Sequence, residues 1–552
     1  STTDPTVDIA LKAELNILLI TLLLWAVVAE LLISMFWNAL SIAIEYNSFK
    51  FPKKKAFTQD DKSISYEEFN RLTNQLANAI LNSGIKPGDK IAIQCPNIIE
   101  FPVIYYGILK MGGVVVPLSI LLKKNEVLFF LKNSQTKMFF VYQGNKDLPI
   151  FKESANSIKY QKNLSKIILI ENNDLEKISP DELITTYSSF LKNKSEIIEF
   201  HPSDPSDTAV MIYTSGTTGD PKGAELTHSN LGWNANLTAD LFQFNKDDVV
   251  LTVLPLFHIY GQSCLMNASI FKGITNILLS RFDPNLVLNE IKKNKVTVFA
   301  GVPTMFWSLC NIHKIEKNRF HKSQNKSWRL AISGGAALPV ELLNKFEKIF
   351  QVPIYEGYGM SEGSPLVSYN HPGYKRKIGS VGFPVWGVKV KIIDENNNSV
   401  PNGKVGQLIF RGHNVMKGYF NNQEASKKAL KGGWMHSGDL AYKDDDGYYF
   451  IVDRIKEIII RGGLNIYPRE IEEVLIKHPK ISLVAVKGIF DERLGEEIKA
   501  YVVLKKEEKV TSKELQNWVK KKIAANKYPR HIDIVNKLPI SASGKILKRL
   551  LD

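Results

Sequence analysis

The stretch YTSGTTGDPKG, from Tyr213 to Gly223, decides how the rest of the chain is read. The apolar run TAVMIYT (208–214) reads as a buried strand, and it delivers a loop with three glycines, four hydroxyl side chains and a lysine. Glycines let backbone N–H groups crowd a phosphate, hydroxyls add donors, and an ammonium neutralises charge. The loop lacks the GxxxxGK[ST] spacing of a Walker A motif. A plain flexible loop explains one Gly-Thr pair, but not eleven ordered residues of this kind. Thr214, Ser215, Gly216, Thr217, Thr218, Gly219 and Lys222 are therefore candidate phosphate-binding residues.

Outward from this loop, helix-period and strand-like runs alternate. SYEEFNRLTNQLANAILNSG (65–84), EFPVIYYGILKMG (100–112) and KNEVLFFLKNS (124–134) read as helices. KIAIQC (90–95), VVVPLS (114–119) and KMFFVY (137–142) read as strands, and so do NILLS (276–280), TVFAGV (297–302) and LAISGG (330–335). The alternation predicts an α/β fold with largely parallel sheets. NIHKIEKNRFHKSQNKS (311–327) reads as a polar surface segment. Near residue 455 the pattern changes. DDDGYYFIVDRIKEIIIRGG reads as a hairpin, YPREIEEVLIKHP as a helix opened by Pro468, and LVAVKGIF and IKAYVVLKK as strands. A capping box from Thr511 to Glu514 opens a last helix. The reading is a large domain (45–455) followed by a small α+β domain (456–552).

At 552 residues the chain is too long for one small module, and its 44% hydrophobic and 23% charged shares exclude disorder. Cys95, Cys264 and Cys310 are scattered, which argues against a disulfide-stapled secreted protein or a thiolate zinc site. No HExxH occurs among the ten histidines, so a zinc hydrolase has no evident ligands. The net charge of +15 suggests anionic partners, and residues 456–552 hold 21 basic against 13 acidic residues. A solvated basic face is the plain explanation; a polyphosphate ligand would profit from the same charge.

The start of the chain is of another kind. After a polar tail (1–14), residues 15–44 are predominantly apolar, with a single charge, Glu30, in their middle. Between Ile17 and Trp37 stand thirteen Leu, Ile, Val or Phe residues. At about −0.3 to −0.6 kcal/mol each they outweigh the roughly +3 kcal/mol of one central acid. Lys50, Lys53, Lys54 and Lys55 follow on one side only. The expectation is a membrane-anchor helix that puts membrane lipid among the partners and the catalytic domains in the cytoplasm. An interfacial amphipathic helix is the competing reading.

With the loop at 213–223, further segments complete a resemblance to the adenylate-forming superfamily of acyl-CoA synthetases, luciferases and peptide-synthetase adenylation domains. They are LPLFHIYG (254–261), SGGAALP (333–339), YEGYGMSEG (355–363), WMHSGD (434–439), VDRIKEIIIRGGLNIYPREIE (452–472) and PISASGKI (539–546). The match starts near residue 50, the family's soluble fold beginning near Asn38, so residues 1–37 lie outside it.

The resemblance implies a reaction and roles. A carboxylate attacks the α-phosphate of ATP to give acyl-AMP and pyrophosphate, and a thiol then displaces AMP. Lys545, in its Ser-Gly-Lys turn, resembles the family's adenylation lysine, a fixed charge bridging two anions. Glu362 resembles its Mg²⁺ ligand, with Ser361 where the family usually has Thr. Tyr358, within Glu356, Gly357 and Gly359, resembles the ring covering adenine. Gly335 and Ala336 belong to the motif beside it. Asp439 resembles the ribose ligand and Arg454 its second contact. Lys456 resembles the hinge about which a mobile small domain turns, offering Lys545 for adenylation and the Gly462–Gly463 loop for the thiol step.

His258 matches a gate to the acyl site. No aspartate stands near LPLFHIYG to hold an amine, which disfavours amino acids. The small residues Gly334 to Ala337 and the anchor favour a medium- or long-chain fatty acid, and the GGLNIYPREIE loop favours CoA. The favoured reading is a membrane-attached fatty acyl-CoA synthetase using ATP, Mg²⁺ and coenzyme A. The alternatives are a fatty acyl-AMP ligase feeding a carrier protein and an aryl-CoA ligase of the coumarate type. A basic nucleic-acid-binding protein is disfavoured because no nucleic-acid module is present. The oligomeric state stays open, a homo-oligomer included.

Overall fold

A computed structural model of the chain describes residues 40–552, apart from 159–160, 162, 173, 180, 200, 202, 215–220, 316–325 and 542. Two large sheets build the first four hundred residues. In the eight-stranded sheet, Val114–Pro117, Lys90–Gln94, Met138–Tyr142 and Lys166–Ile170 run parallel. The nine-stranded sheet has Val249–Thr252, Val298–Gly301, Leu330–Ser333 and Ile354–Gly359 parallel at its centre. Parallel strands need crossovers, and amphipathic helices such as Pro284–Lys293 and Val340–Phe350 supply them. These strands are buried almost throughout because helices cover their faces. One apolar core runs through both sheets, from Phe57 and Ile93 to Val250 and Phe346.

Two smaller sheets follow. Lys389–Ile393, Gly406–Arg411, Met435–Lys443 and Tyr449–Arg454 form an antiparallel sheet of four. The C-terminal unit has five strands with its own core of Ile459, Ile471, Ile498 and Leu515. Its helix Ser512–Lys520 starts at the capping box Thr511–Glu514, as the sequence indicates.

One expectation needs correction. The stretch read as one hairpin does not pair with itself. Tyr449–Arg454 closes the four-stranded sheet, the chain turns through Ile455–Glu457, and Ile459–Arg461 enters the five-stranded sheet. Both runs are strand-like, but Lys456 and Glu457 carry the chain from one sheet to the next. The segment 311–327 begins within helix Pro303–Ile315, and its residues 316–325 lie outside the described residues.

Of the apolar stretch 15–44, residues 15–39 lie outside the described residues. Its last part belongs to the core: Leu40, Ala43 and Ile44 are buried, and helix Ile42–Lys50 follows directly. No helix among the described residues is long and apolar enough to cross a membrane. Helix Ile42–Lys50 is held by a polar cluster at its foot. The Lys110 ammonium, fully buried, donates to Glu45 Oε1 at 2.6 Å, to Asn74 Oδ1 at 2.5 Å and to Asn70 Oδ1. Three helices are thereby tied at one charge.

Candidate active site

The C-terminal ends of parallel strands carry the loops of the site, as α/β sheets generally arrange them. Strand Thr208–Thr214 leads into the glycine- and threonine-rich loop singled out from the sequence, and the chain returns antiparallel as Lys222–Thr227, with Thr214 opposite Lys222. Ser215, Gly216, Thr217, Thr218 and Gly219 lie outside the described residues. Lys222 is placed: its ammonium stands 5.4 Å from the centre of the Tyr419 ring. The Tyr419 hydroxyl in turn donates to Glu362 Oε1 at 2.8 Å. Strand Gly418–Tyr419 reaches this place by pairing with Lys222–Thr227.

Strand Ile354–Gly359 turns through Met360 into the short 3-10 helix Ser361–Gly363. Gly359 is required there, because a Cβ would lie 2.1 Å from the Pro365 carbonyl oxygen. Glu362 is buried at that turn, and Ser361 stands just before it. Tyr358, between Gly357 and Gly359, donates its hydroxyl to Asp439 Oδ2 at 2.5 Å. Arg454 holds the other oxygen, Nε to Oδ1 at 3.2 Å. Asp439 and Arg454 are cross-strand partners in the four-stranded sheet, so the pairing register places them together. Burial raises the Asp439 carboxyl above its usual range, while Arg454, the Tyr358 hydrogen bond and Lys545 oppose the shift.

Lys545 reaches this group from the C-terminal unit. Its turn is closed by Ser541 N–H to the Lys545 carbonyl at 2.8 Å and Lys545 N–H to Ser541 Oγ at 3.0 Å. Thr304, just after strand Val298–Gly301, donates to the Gly544 carbonyl at 3.0 Å. Gly544 has φ +82°, and a Cβ there would lie 2.5 Å from Val302 Cγ2. A Cβ on Gly335 would lie 3.4 Å from Lys545 Cε, so the ammonium passes over the small-residue motif, where Gly335 and Ala336 are exposed. Burial lowers the Lys545 pKa and Arg454 adds to this, while Asp439 and Glu362 raise it. The same loss of water, followed by the Lys545 charge, pushes His258 down to about 3, so the ring is neutral.

Glu356 stands one strand away, buried opposite Ser333. Burial lifts its carboxyl to about 7 against the charge of Arg469, the backbone N–H groups of Leu338 and Gly379, and Arg376. The structure therefore brings together Lys545, His258, Glu362, Tyr358, Asp439, Arg454 and Gly335. It does not bring the Gly462–Gly463 loop to them. That loop joins Ile459–Arg461 to Leu464–Ile466 on an exposed edge, fixed by a bidentate Arg461–Glu497 pair at 2.7 Å and 2.7 Å. Lys456 lies exposed at the turn between sheets, where burial and the charges of Lys222 and Lys428 lower its pKa.

Tyr419 and Thr304 are site residues that the sequence reading passed over. Each makes its contact through space, over 57 and 240 residues of chain respectively, and no local pattern marks either. Mg²⁺ takes one or two carboxylates and completes its shell with phosphate oxygens and water. A single buried carboxylate with one oxygen held by Tyr419 fits that use. No group of three or more His, Cys, Asp or Glu residues among the described residues is arranged to hold a metal alone.

A family model described as AMP-binding enzyme matches residues 44–420, and one described as AMP-binding enzyme C-terminal domain matches residues 470–545. The chain belongs to the AMP-binding enzyme family. It is an enzyme of the AMP-forming acid–thiol ligase type within that family. It is 36% identical over 519 residues to a long-chain-fatty-acid–CoA ligase of Bacillus subtilis, covering 91% of this chain and 92% of the relative. It is 32% identical over 500 residues to a feruloyl-CoA synthase of an Amycolatopsis species, covering 90% and 95%. Among solved structures, ATP-bound MatB from Rhodopseudomonas palustris superposes with a TM-score of 0.83 at 28% identity, covering 93% of this chain and 98% of that one. As an AMP-binding enzyme with an adenylate-forming fold, the chain has a settled reaction type, whereas relatives named for a fatty acid and for ferulate leave its acid open.

Proposed function

We propose that this AMP-binding enzyme is an ATP-dependent fatty acyl-CoA synthetase, held at a membrane by its apolar N-terminal stretch with its catalytic domains in the cytoplasm. The observation that carries the adenylation half is the Lys545 ammonium, seated among Asp439, Arg454 and Glu362. In the first step a carboxylate oxygen attacks the α-phosphorus and the bond to pyrophosphate breaks. Lys545 lies between the two anions and lowers their repulsion where little water screens it. Asp439 accepts the ribose hydroxyls, Arg454 holds Asp439 and the sugar, and the Tyr358 ring covers the base. Thr214 to Gly219 and Lys222 hold the β- and γ-phosphates. Glu362 would hold a Mg²⁺, whose charge steadies the phosphate oxygens. In the second step the sulfur of CoA attacks the acyl carbon and the bond to AMP breaks. For this the small domain turns about Lys456 and brings the Gly462–Gly463 loop to the acyl end.

Neutral His258 borders the acyl side, with Gly334 beyond it. The fatty-acid reading draws on the Bacillus subtilis relative and on the apolar N-terminal stretch. A specific contact favours the aryl-CoA alternative: the Tyr260 ring stands 3.1 Å from where a Gly334 Cβ would be, which narrows the space behind Lys545. Acids of graded length, with ferulate as the aryl control, assayed for AMP release with and without CoA, separate the readings. A medium- or long-chain optimum that depends on CoA supports the proposal. An optimum on the aryl acid, or release without CoA, sinks it.

A further inference from the structure

Helix Pro468–Leu475, the first helix of the C-terminal unit, starts without a cap of its own. Tyr467 holds the N-cap position, and its side chain accepts no hydrogen bond. A helix start leaves its first N–H groups without partners inside the helix. Here the Arg469 N–H finds one across the sheet boundary, Asp453 Oδ2 at 3.0 Å. Asp453 belongs to the last strand of the four-stranded sheet, and Oδ1 of the same buried carboxylate takes the Arg454 N–H at 2.9 Å. The cap is thus aimed by the strand that carries the Asp439–Arg454 pair. The Arg469 guanidinium adds a second tie by donating to the Ile451 carbonyl on that strand.

The other end of the tie is the lysine loop. Lys548, three residues beyond Lys545, pairs with Glu472 Oε1 at 2.9 Å on the capped helix and with Glu457 Oε2 at 3.1 Å. An N-terminal cap, a half-buried ion pair and the catalytic loop therefore form one connected path. Serine, threonine, asparagine and aspartate serve as caps because a short side-chain oxygen reaches the N–H groups, and a carboxylate also meets the positive end of the helix dipole.

We propose that Asp453 is a positioning residue for adenylation: it caps helix Pro468–Leu475 from the opposite domain and so seats Lys545 in the ATP site. This rests on the adenylation reading above. When the small domain turns for the thiol step, the Arg469 N–H leaves Asp453, so the cap favours the first pose and not the second. Removing it biases the protein toward the second.

The test uses the full chain with Asp453→Ala and Asp453→Asn, each assayed for ATP–pyrophosphate exchange and for thioester formation from supplied acyl-AMP. Asp453→Ala lowers exchange by about 3- to 30-fold, the equilibrium worth of a lost cap, in kcat rather than in the KM for ATP. Thioester formation is unchanged or faster. Asp453→Asn, which keeps an accepting oxygen, recovers most of the exchange. Hydrogen exchange gives a readout independent of turnover: the amides of 469–471 and 543–548 lose protection together in Asp453→Ala. Equal loss of both half-reactions, no recovery in Asp453→Asn, or unchanged protection of 543–548 overturns the proposal. Absence of exchange in the parent protein overturns the adenylation reading instead, and the protection measurement then judges the cap by itself.

Discussion

Burial lifts the Glu356 carboxyl to about 7 from an ordinary 4.5. A raised carboxyl gives stability that is complete below its unfolded pKa and is lost as pH rises through the folded one. The window is therefore about 4.5 to 7, with stability falling toward the alkaline side. Glu356→Gln keeps the shape and removes the titration, so the stability of the parent relative to the variant should fall by up to about 3 kcal/mol across that window. Urea midpoints of both proteins at pH 5, 6, 7 and 8 measure it. Parallel curves would contradict the account. At this scale Lys545, Glu362, Tyr358, Asp439 and Arg454 were legible because each sits in a short ordered motif. Tyr419, Thr304 and Asp453 were not, since each is defined by a partner that only the fold brings near.

Secondary elements were largely readable where one period dominates. The strand expected at 208–214 is present over the same residues, and the helix expected at 65–84 spans Tyr66–Leu81. Reading failed where the chain leaves one sheet for another, because periodicity reports the state of a residue and not its partner strand. Two elements carry predictions. Gly544 sits in the lysine loop with positive φ and no room for a Cβ against Val302. Gly544→Ala should lift the loop off Val302 and Thr304 and cut ATP–pyrophosphate exchange at least ten-fold, by the usual sensitivity of catalysis to ångström-scale misplacement. Unchanged exchange would show that the loop is not seated as described. Lys110 ties helix Ile42–Lys50 to two neighbours, although burial lowers its pKa to about 8. Lys110→Met strands the acceptors of Glu45, Asn70 and Asn74 and should cost about 1–3 kcal/mol in urea unfolding. A neutral result would mean that apolar packing alone holds this helix.

For the whole molecule, the order of motifs made the two-domain α/β plan readable, and pairing over long separations completed it. Leu40, Ala43 and Ile44 lie in the core, so the soluble fold begins within the apolar stretch and not after it. Deleting residues 1–37 should move the protein from the membrane to the soluble fraction while turnover on a soluble medium-chain acid stays within a few-fold. Loss of activity on every acid would show that residues 1–37 complete the core. The central claim is that one lysine from the small domain serves the first half-reaction alone. Lys545→Ala tests it most directly, assayed for ATP–pyrophosphate exchange and, separately, for CoA thioester formation from supplied acyl-AMP. The account predicts that exchange falls by about 10²–10³ or more, as for removal of a fixed donor at a developing charge, while thioester formation stays near the parent rate. Normal exchange in Lys545→Ala, or equal loss of both half-reactions, would contradict it.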